Sequence, residues 1–159
     1  MHNIEQAPRP TSASYRERLS PSLWVLLSAA VCAPMASIVF VPLDGTIALI
    51  IGVAVGIAII ASLILTSPVL TLHDGVLRVG RARIAVSDLG TASAYTGDEA
   101  RQARGAGLGR ADWHLLRGGI EGVVRVEVID PDDPTSAWVF SSRTPDRVAA
   151  MITRAQRER

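Results

Sequence analysis

Three arginines, Arg78, Arg81 and Arg83, are the side chains of this 159-residue chain best placed to do chemistry. A guanidinium is always charged, and its planar fork of donors matches phosphate and carboxylate geometry. These three follow closely on a long apolar stretch. At alternating positions of a strand they share an outer face and can hold anionic lipid headgroups. The plainer reading is that they set membrane topology and solubilise an exposed face.

Other polar groupings read as structure. His73 and Asp74 form an acid–base pair on paper, but Asp74-Gly75 is what a two-residue hairpin turn demands. Asp112 and His114 share one face of a strand, where pairing would raise the histidine's proton affinity. A cleft gathering Asp112, His114 and Arg117 would point to an enzyme. Asp130, Asp132 and Asp133 suggest a calcium loop but lack the glycine and terminal glutamate of an EF-hand. Pro131 and Pro134 fit a rigid turn better. Gly105, Gly107 and Gly109 make no dinucleotide fingerprint, since no strand runs into them and no helix clearly opens from them. We therefore expect no catalytic constellation, no cofactor and no metal.

Composition agrees. All sixteen basic residues are arginine, against fifteen acids, and the formal net charge of +1 gives no case for nucleic acid. The single cysteine, Cys32, excludes an intrachain disulfide and a cysteine-type metal site. Mean hydropathy is +0.29. That average hides a split, with apolar residues concentrated before Pro68 and charges after it.

What must position the arginines is a membrane anchor. Leu23–Val41 and Ile47–Leu65 are uncharged, each about the 20 residues that cross a bilayer. Ser20-Pro21-Ser22 favours helix initiation, Trp24 suits the headgroup region, and Pro34 should kink the first span. Gly52 and Gly56 have the spacing that lets helices approach closely. The turn between the spans carries Asp44 and no arginine. Arg9, Arg16 and Arg18 precede the first span, and Arg78, Arg81 and Arg83 follow the second. The arginine asymmetry puts both termini in the cytoplasm and Asp44 outside, at a plasma membrane. Residues 1–22 are expected to be a disordered segment (Met1–Thr11) with a short interfacial helix at Tyr15–Leu19, and residues 23–65 the hairpin.

Residues 69–159 read as a cytoplasmic domain. Val69–His73, Val76–Val79, Arg81–Val86 and Gly90–Tyr95 are strand-like. Thr96 to Glu99 has the capping-box form before a helix Asp98–Arg104. Trp113–Arg117, Val124–Ile129 and Ala137–Ser141 follow as strands. Thr144-Pro145-Asp146 then starts a last helix, whose Val148, Met151, Ile152 and Ala155 form one apolar stripe. The fold class is α+β: a transmembrane helical hairpin followed by a small antiparallel β domain closed by a C-terminal helix.

The order Tyr-Arg-Glu-Arg-Leu, two spans, Leu-Arg-Val-Gly-Arg-Ala-Arg-Ile, Val-Arg-Val-Glu-Val, Asp-Pro-Asp-Asp-Pro-Thr and Ser-Ser-Arg-Thr-Pro resembles an uncharacterised family of small actinobacterial membrane proteins, a domain of unknown function. The soluble part also resembles bacterial pleckstrin-homology-like domains. The chain departs from the family pattern at Gly118-Gly119, where a proline and an aromatic residue are expected. The family brings no known activity. The resemblance, together with spans free of ionisable groups, implies a membrane-anchored interaction or scaffold module. Its partners would be the lipid bilayer, anionic headgroups and an unknown membrane or cytoplasmic protein. The alternative is an accessory subunit of a membrane enzyme or transporter.

Overall fold

A computed structural model describes residues 14–42 and 44–158. The chain opens with a short strand, β1 (Tyr15–Arg18), and then enters two long helices, α1 (Leu23–Phe40) and α2 (Gly45–Leu65). Ser22 caps α1, its Oγ accepting from the Val25 amide at 3.4 Å, and Asp44 caps α2 through the amides of Thr46 and Ile47. Both caps use a short polar side chain to satisfy amides that have no partner within the helix. Pro34 lies within the continuous α1.

The two helices pack along small residues. A Cβ on Gly52 would stand 2.8 Å from the Ala33 carbonyl oxygen and from Ser37 Cβ, and one on Gly56 would stand 2.8 Å from Ala33 Cβ. The expected glycine packing face is therefore present. Ser37 Oγ donates to the Ala48 carbonyl at 2.9 Å, tying the helices together. The large side chains point outward. Leu23, Trp24 and Leu65 are each at least three-quarters exposed.

Next comes a run of antiparallel strands, β2 (Val69–His73), β3 (Val76–Val79) and β4 (Ala82–Ala85). At the β2–β3 turn Asp74 and Gly75 take φ of 49° and 70°, the left-handed conformation that the Asp-Gly pair predicts. One 3-10 turn at Val86–Asp88 leads to β5 (Leu89–Tyr95), α3 (Gly97–Ala103), β6 (Trp113–Leu115), β7 (Val123–Val128), β8 (Ala137–Ser141) and α4 (Pro145–Arg157).

The first sheet has the order β1-β2-β3-β4, and the second β5-β7-β8-β6. Period-two alternation sends one side of each sheet into a shared core. In the first sheet Leu70, Leu72, Leu77, Val79 and Ile84 face in, meeting Val124, Val126, Trp138 and Phe140 of the second. Val148 and Ile152 of α4 complete this core, as the apolar stripe predicts. The other side of the second sheet is covered by α3, where Ala100 packs on Val123 and Val139. Strand β8 is buried at every position because both of its faces are covered.

Three expectations are corrected. Tyr15–Leu19 is not an interfacial helix: Tyr15–Arg18 is an edge strand paired antiparallel with β2, Arg16 opposite Thr71. The β domain therefore begins before the apolar helices, and 69–159 is only part of it. The pairing satisfies backbone groups that an isolated turn of helix would leave open. Secondly, β6 runs parallel to β8, so the second sheet is mixed. Thirdly, neither Thr96 nor Thr144 caps its helix through its side chain. The Thr144 hydroxyl instead meets the Tyr15 hydroxyl at 2.7 Å. The segment Met1–Thr11 lies outside the described residues.

Candidate functional site

The outer face of the first sheet carries an arginine row. Register places Arg16, Thr71, Arg78 and Arg83 side by side across all four strands. Arg78 and Arg83 are directly opposite, an arrangement of like charges that disfavours the pairing. Arg81 sits in the β3–β4 turn beside Gly80, whose φ is +62°. A Cβ on Gly80 would meet Leu115 at 2.8 Å, so this turn presses against the end of β6.

Between the turn, the sheet face and the end of α2 lies a groove of about 1190 Å³. Arg16, Arg78, Arg81 and Arg117 line it, with Leu65 and Thr66 of the α2 terminus forming one wall. Among the described residues no carboxylate lines it. The side chains of Arg16, Arg78 and Arg81 make no hydrogen bond or ion pair to any described residue. Arg117 is held by its backbone, which donates to Ser141 Oγ at 2.9 Å. Its Nε and Nη2 are buried without an acceptor. The following Gly118-Gly119 has a structural use. Gly119 has φ 79°, and a Cβ there would collide with Ser22, so the loop abuts the start of α1.

The three predicted arginines therefore divide. Arg78 and Arg81 line the groove, and Arg83 faces a neighbouring depression with His73, Val76 and Arg78. Sequence reasoning did not place Arg16 or Arg117 with them: Arg16 read as a flank of the first span, and Arg117 as grouped with Asp112 and His114, whereas Asp112 pairs with Arg125. The alternation in Tyr15–Arg18 would have placed Arg16, had that segment been taken as a strand. Nothing local marks Arg117.

The remaining candidates serve the fold. His73 Nε2 lies 3.2 Å from Asp74 Oδ2, and both side chains are well exposed at the hairpin turn. Asp112 does not pair with His114. Its buried carboxylate accepts from Arg125 Nη1 at 2.7 Å and from the Gly109 amide at 2.7 Å, pinning the glycine loop to β7. His114 is exposed. Asp130 accepts from the Asp132 amide, and Asp133 from the Thr135 amide. The Thr135 hydroxyl and amide hold the Asp133 carboxyl below its ordinary pKa. Among the described residues no three His, Cys, Asp or Glu side chains gather as a metal site requires.

A second polar cluster ties β1 to the start of α4. The Glu17 carboxylate accepts from Ser142 Oγ at 2.6 Å and from the Arg143 amide at 2.7 Å. Tyr15 donates to Glu17 Oε2 at 3.0 Å. Partial burial, then the Glu17 charge, push the Tyr15 phenol above its usual pKa, while the bond to Thr144 opposes them. Arg143 donates to the Ser20 carbonyl at 2.8 Å, so this loop also holds the lead-in to α1.

No curated protein and no solved structure matches the chain at a significant level. Residues 14–152 match the family described as Protein of unknown function (DUF3093). That span starts one residue before β1, runs through both apolar helices and both sheets, and ends within α4, so the match covers the whole arrangement rather than one part. The chain belongs to the DUF3093 family.

Proposed function

We propose that this protein is a membrane-anchored interaction module, a pleckstrin-homology-like domain held on the cytoplasmic face of the plasma membrane by a two-span hairpin. The observation that carries this reading is where the hairpin enters the fold. Helices α1 and α2 are inserted between two paired strands, with the Leu19 amide donating to the Pro68 carbonyl at 2.9 Å where the strands leave the helices. Arg18 also donates to the Ile64 carbonyl at 2.7 Å. A domain joined to its anchor at two adjacent points, with no linker, is held at the surface.

The helices support the anchor role. Their best windows have mean hydropathy 2.2 and 3.0, and only 6% and 17% of those residues are buried. A core helix of a water-soluble protein would bury most of such a surface. With both ends of the hairpin on the arginine-bearing side, Arg78, Arg81 and Arg83 stand near the headgroups. Two sheets closed by a C-terminal helix suit a pleckstrin-homology-like description. The absence of any Asp, Glu, His, Lys or Arg within α1 and α2 disfavours a transport path through this chain.

A reporter active only in the cytoplasm, fused after Arg159, tests the topology. Activity is expected there, and an inactive fusion matched by an active external reporter would falsify it. Association with the arginines is tested by reconstituting the full chain and recruiting anionic vesicles to it at low salt. Arg→Gln at positions 78, 81 and 83 should abolish recruitment, and salt should weaken it, since exposed charges are screened beyond about 10 Å at 0.1 M.

A further inference from the structure

We infer that the arginine groove is a binding site for one phosphate group, carried by an anionic phospholipid or by a small soluble phosphate compound. The lipid source rests on the membrane-anchored reading; the site itself does not. Four arginines line the groove, and no carboxylate of the described residues balances them. Elsewhere the arginines near buried surface have acceptors. Arg125 is paired with Asp112, Arg104 donates to the Ile120 carbonyl, and Arg143 donates to the carbonyls of Arg18 and Ser20. Arg117 is the exception among them, with Nε and Nη2 buried and unpartnered beside the groove.

A buried donor on a charged group without an acceptor is unfavourable. An anion in the groove places a counter-charge beside that guanidinium and separates the like charges. Phosphate fits better than a carboxylate, because it offers three or more acceptor oxygens to forked donors arriving from different directions. Those directions come from three elements: the sheet face for Arg16 and Arg78, the β3–β4 turn for Arg81, and the segment after β6 for Arg117. Thr71 adds a hydroxyl between Arg16 and Arg78. The apolar wall at Leu65 continues along α2, so a lipid whose phosphate sits among the arginines can lay its chains against that helix.

The test uses the full chain in maltoside micelles, which contain no phosphate. One arm titrates inorganic phosphate, and the other adds phosphatidylglycerol. Binding is read from thermal melting and from the ligand retained per chain in native mass spectrometry. One equivalent should be retained in at least one arm. A response to phosphate alone assigns a soluble source, and a response to phosphatidylglycerol alone assigns a lipid. Arg81→Gln and Arg117→Gln should each weaken binding roughly tenfold. Arg83→Gln, outside the groove, should change it little. In the absence of ligand, Arg117→Gln should melt no lower than the parent, because it removes an unpaired buried charge. The inference is overturned if neither ligand saturates, if Arg83→Gln weakens binding as much as Arg81→Gln, or if the unliganded Arg117→Gln chain is destabilised. Failure of the membrane reading registers separately, in the reporter fusions, and leaves the phosphate arm standing.

Discussion

In the helical hairpin the small side chains are inside and the large ones outside; in the β domain the order is reversed. Ala29, Ala48, Gly52 and Gly56 are the buried residues of α1 and α2, while Leu49, Ile57 and Leu65 are exposed. In the domain Phe140, Leu70, Leu77 and Ile152 are fully buried. Both regions pack through apolar residues, so the presence of apolar side chains alone does not explain the inversion. In water, burying a large aliphatic side chain contributes about 1.5–3 kcal/mol, which draws the largest residues inward. Between helices surrounded by lipid that driving force is absent, and close backbone approach favours glycine, alanine and serine. If the hairpin lies in lipid as proposed, the two regions are packed for different solvents, and a truncation severe in one should be mild in the other.

The largest effect should come from cutting the β domain at the hairpin. A chain beginning at Val69 lacks β1 and the Glu17 bonds to Ser142 and Arg143, and it exposes the edge of β2. We expect it to aggregate or remain unfolded. Joining Ser20 to Ser67 through an Asn-Gly turn keeps β1 and removes only the helices. That chain should be soluble, with a cooperative melt followed by the emission of Trp113 and Trp138. Equal folding of the two chains would mean that β1 is an accessory to the domain.

Next in size is a core truncation compared with its counterpart in the hairpin. Ile152→Ala should destabilise the domain by about 2–5 kcal/mol in denaturant titrations, since the side chain is fully buried on α4. Ile57→Ala removes a side chain of the same size from the outer face of α2, and the domain transition should move by less than about 0.5 kcal/mol. If Ile57→Ala shifted it as far, the outer face of α2 would have a protein partner rather than lipid.

The converse change is Gly52→Leu. Its Cβ alone would stand 2.8 Å from backbone and side-chain atoms of α1, so the helices must separate and the Ser37–Ala48 hydrogen bond must break. Cross-linking between cysteines placed along the α1–α2 seam should fall several-fold, while the domain melt stays in place. Unchanged cross-linking would show that the seam tolerates bulk and that the inversion is incidental.

The smallest effect concerns Asp44. Amides of Ile47 and then Thr46 donate to its carboxylate and lower its pKa below the ordinary value. A carboxyl with a lowered folded pKa contributes stability above its unfolded pKa of about 4 and loses it as pH falls through the folded value. The first turn of α2 should therefore exchange its amide hydrogens faster in acid, and Asp44→Asn should flatten that dependence. A profile unchanged by the substitution would mean that the cap is held by the helices and not by the charge.

Much of this molecule was legible in the chain itself. Hydropathy placed α1 and α2 to within a few residues, and period-two alternation placed β2 to β5, β7 and β8. Those signals are local, because a strand facing one core repeats every two residues wherever its partner lies. The glycine seam and the Asp74-Gly75 turn were readable for the same reason. Tyr15–Arg18 was not, since four residues with mixed charge carry too short a period to separate a strand from a helical turn. Its state is decided by β2, about fifty residues further along the chain, which supplies the hydrogen bonds. The groove was half legible. Arg78 and Arg81 are close in sequence, but Arg16 arrives only through strand pairing, and Arg117 only because the turn at Gly80 packs against Leu115. The sequence determined which segments form long apolar helices and which form sheets, because those preferences belong to each segment by itself. Tertiary structure alone decided which arginines share one groove and which of them lack an acceptor, because both depend on contacts between segments far apart in the chain.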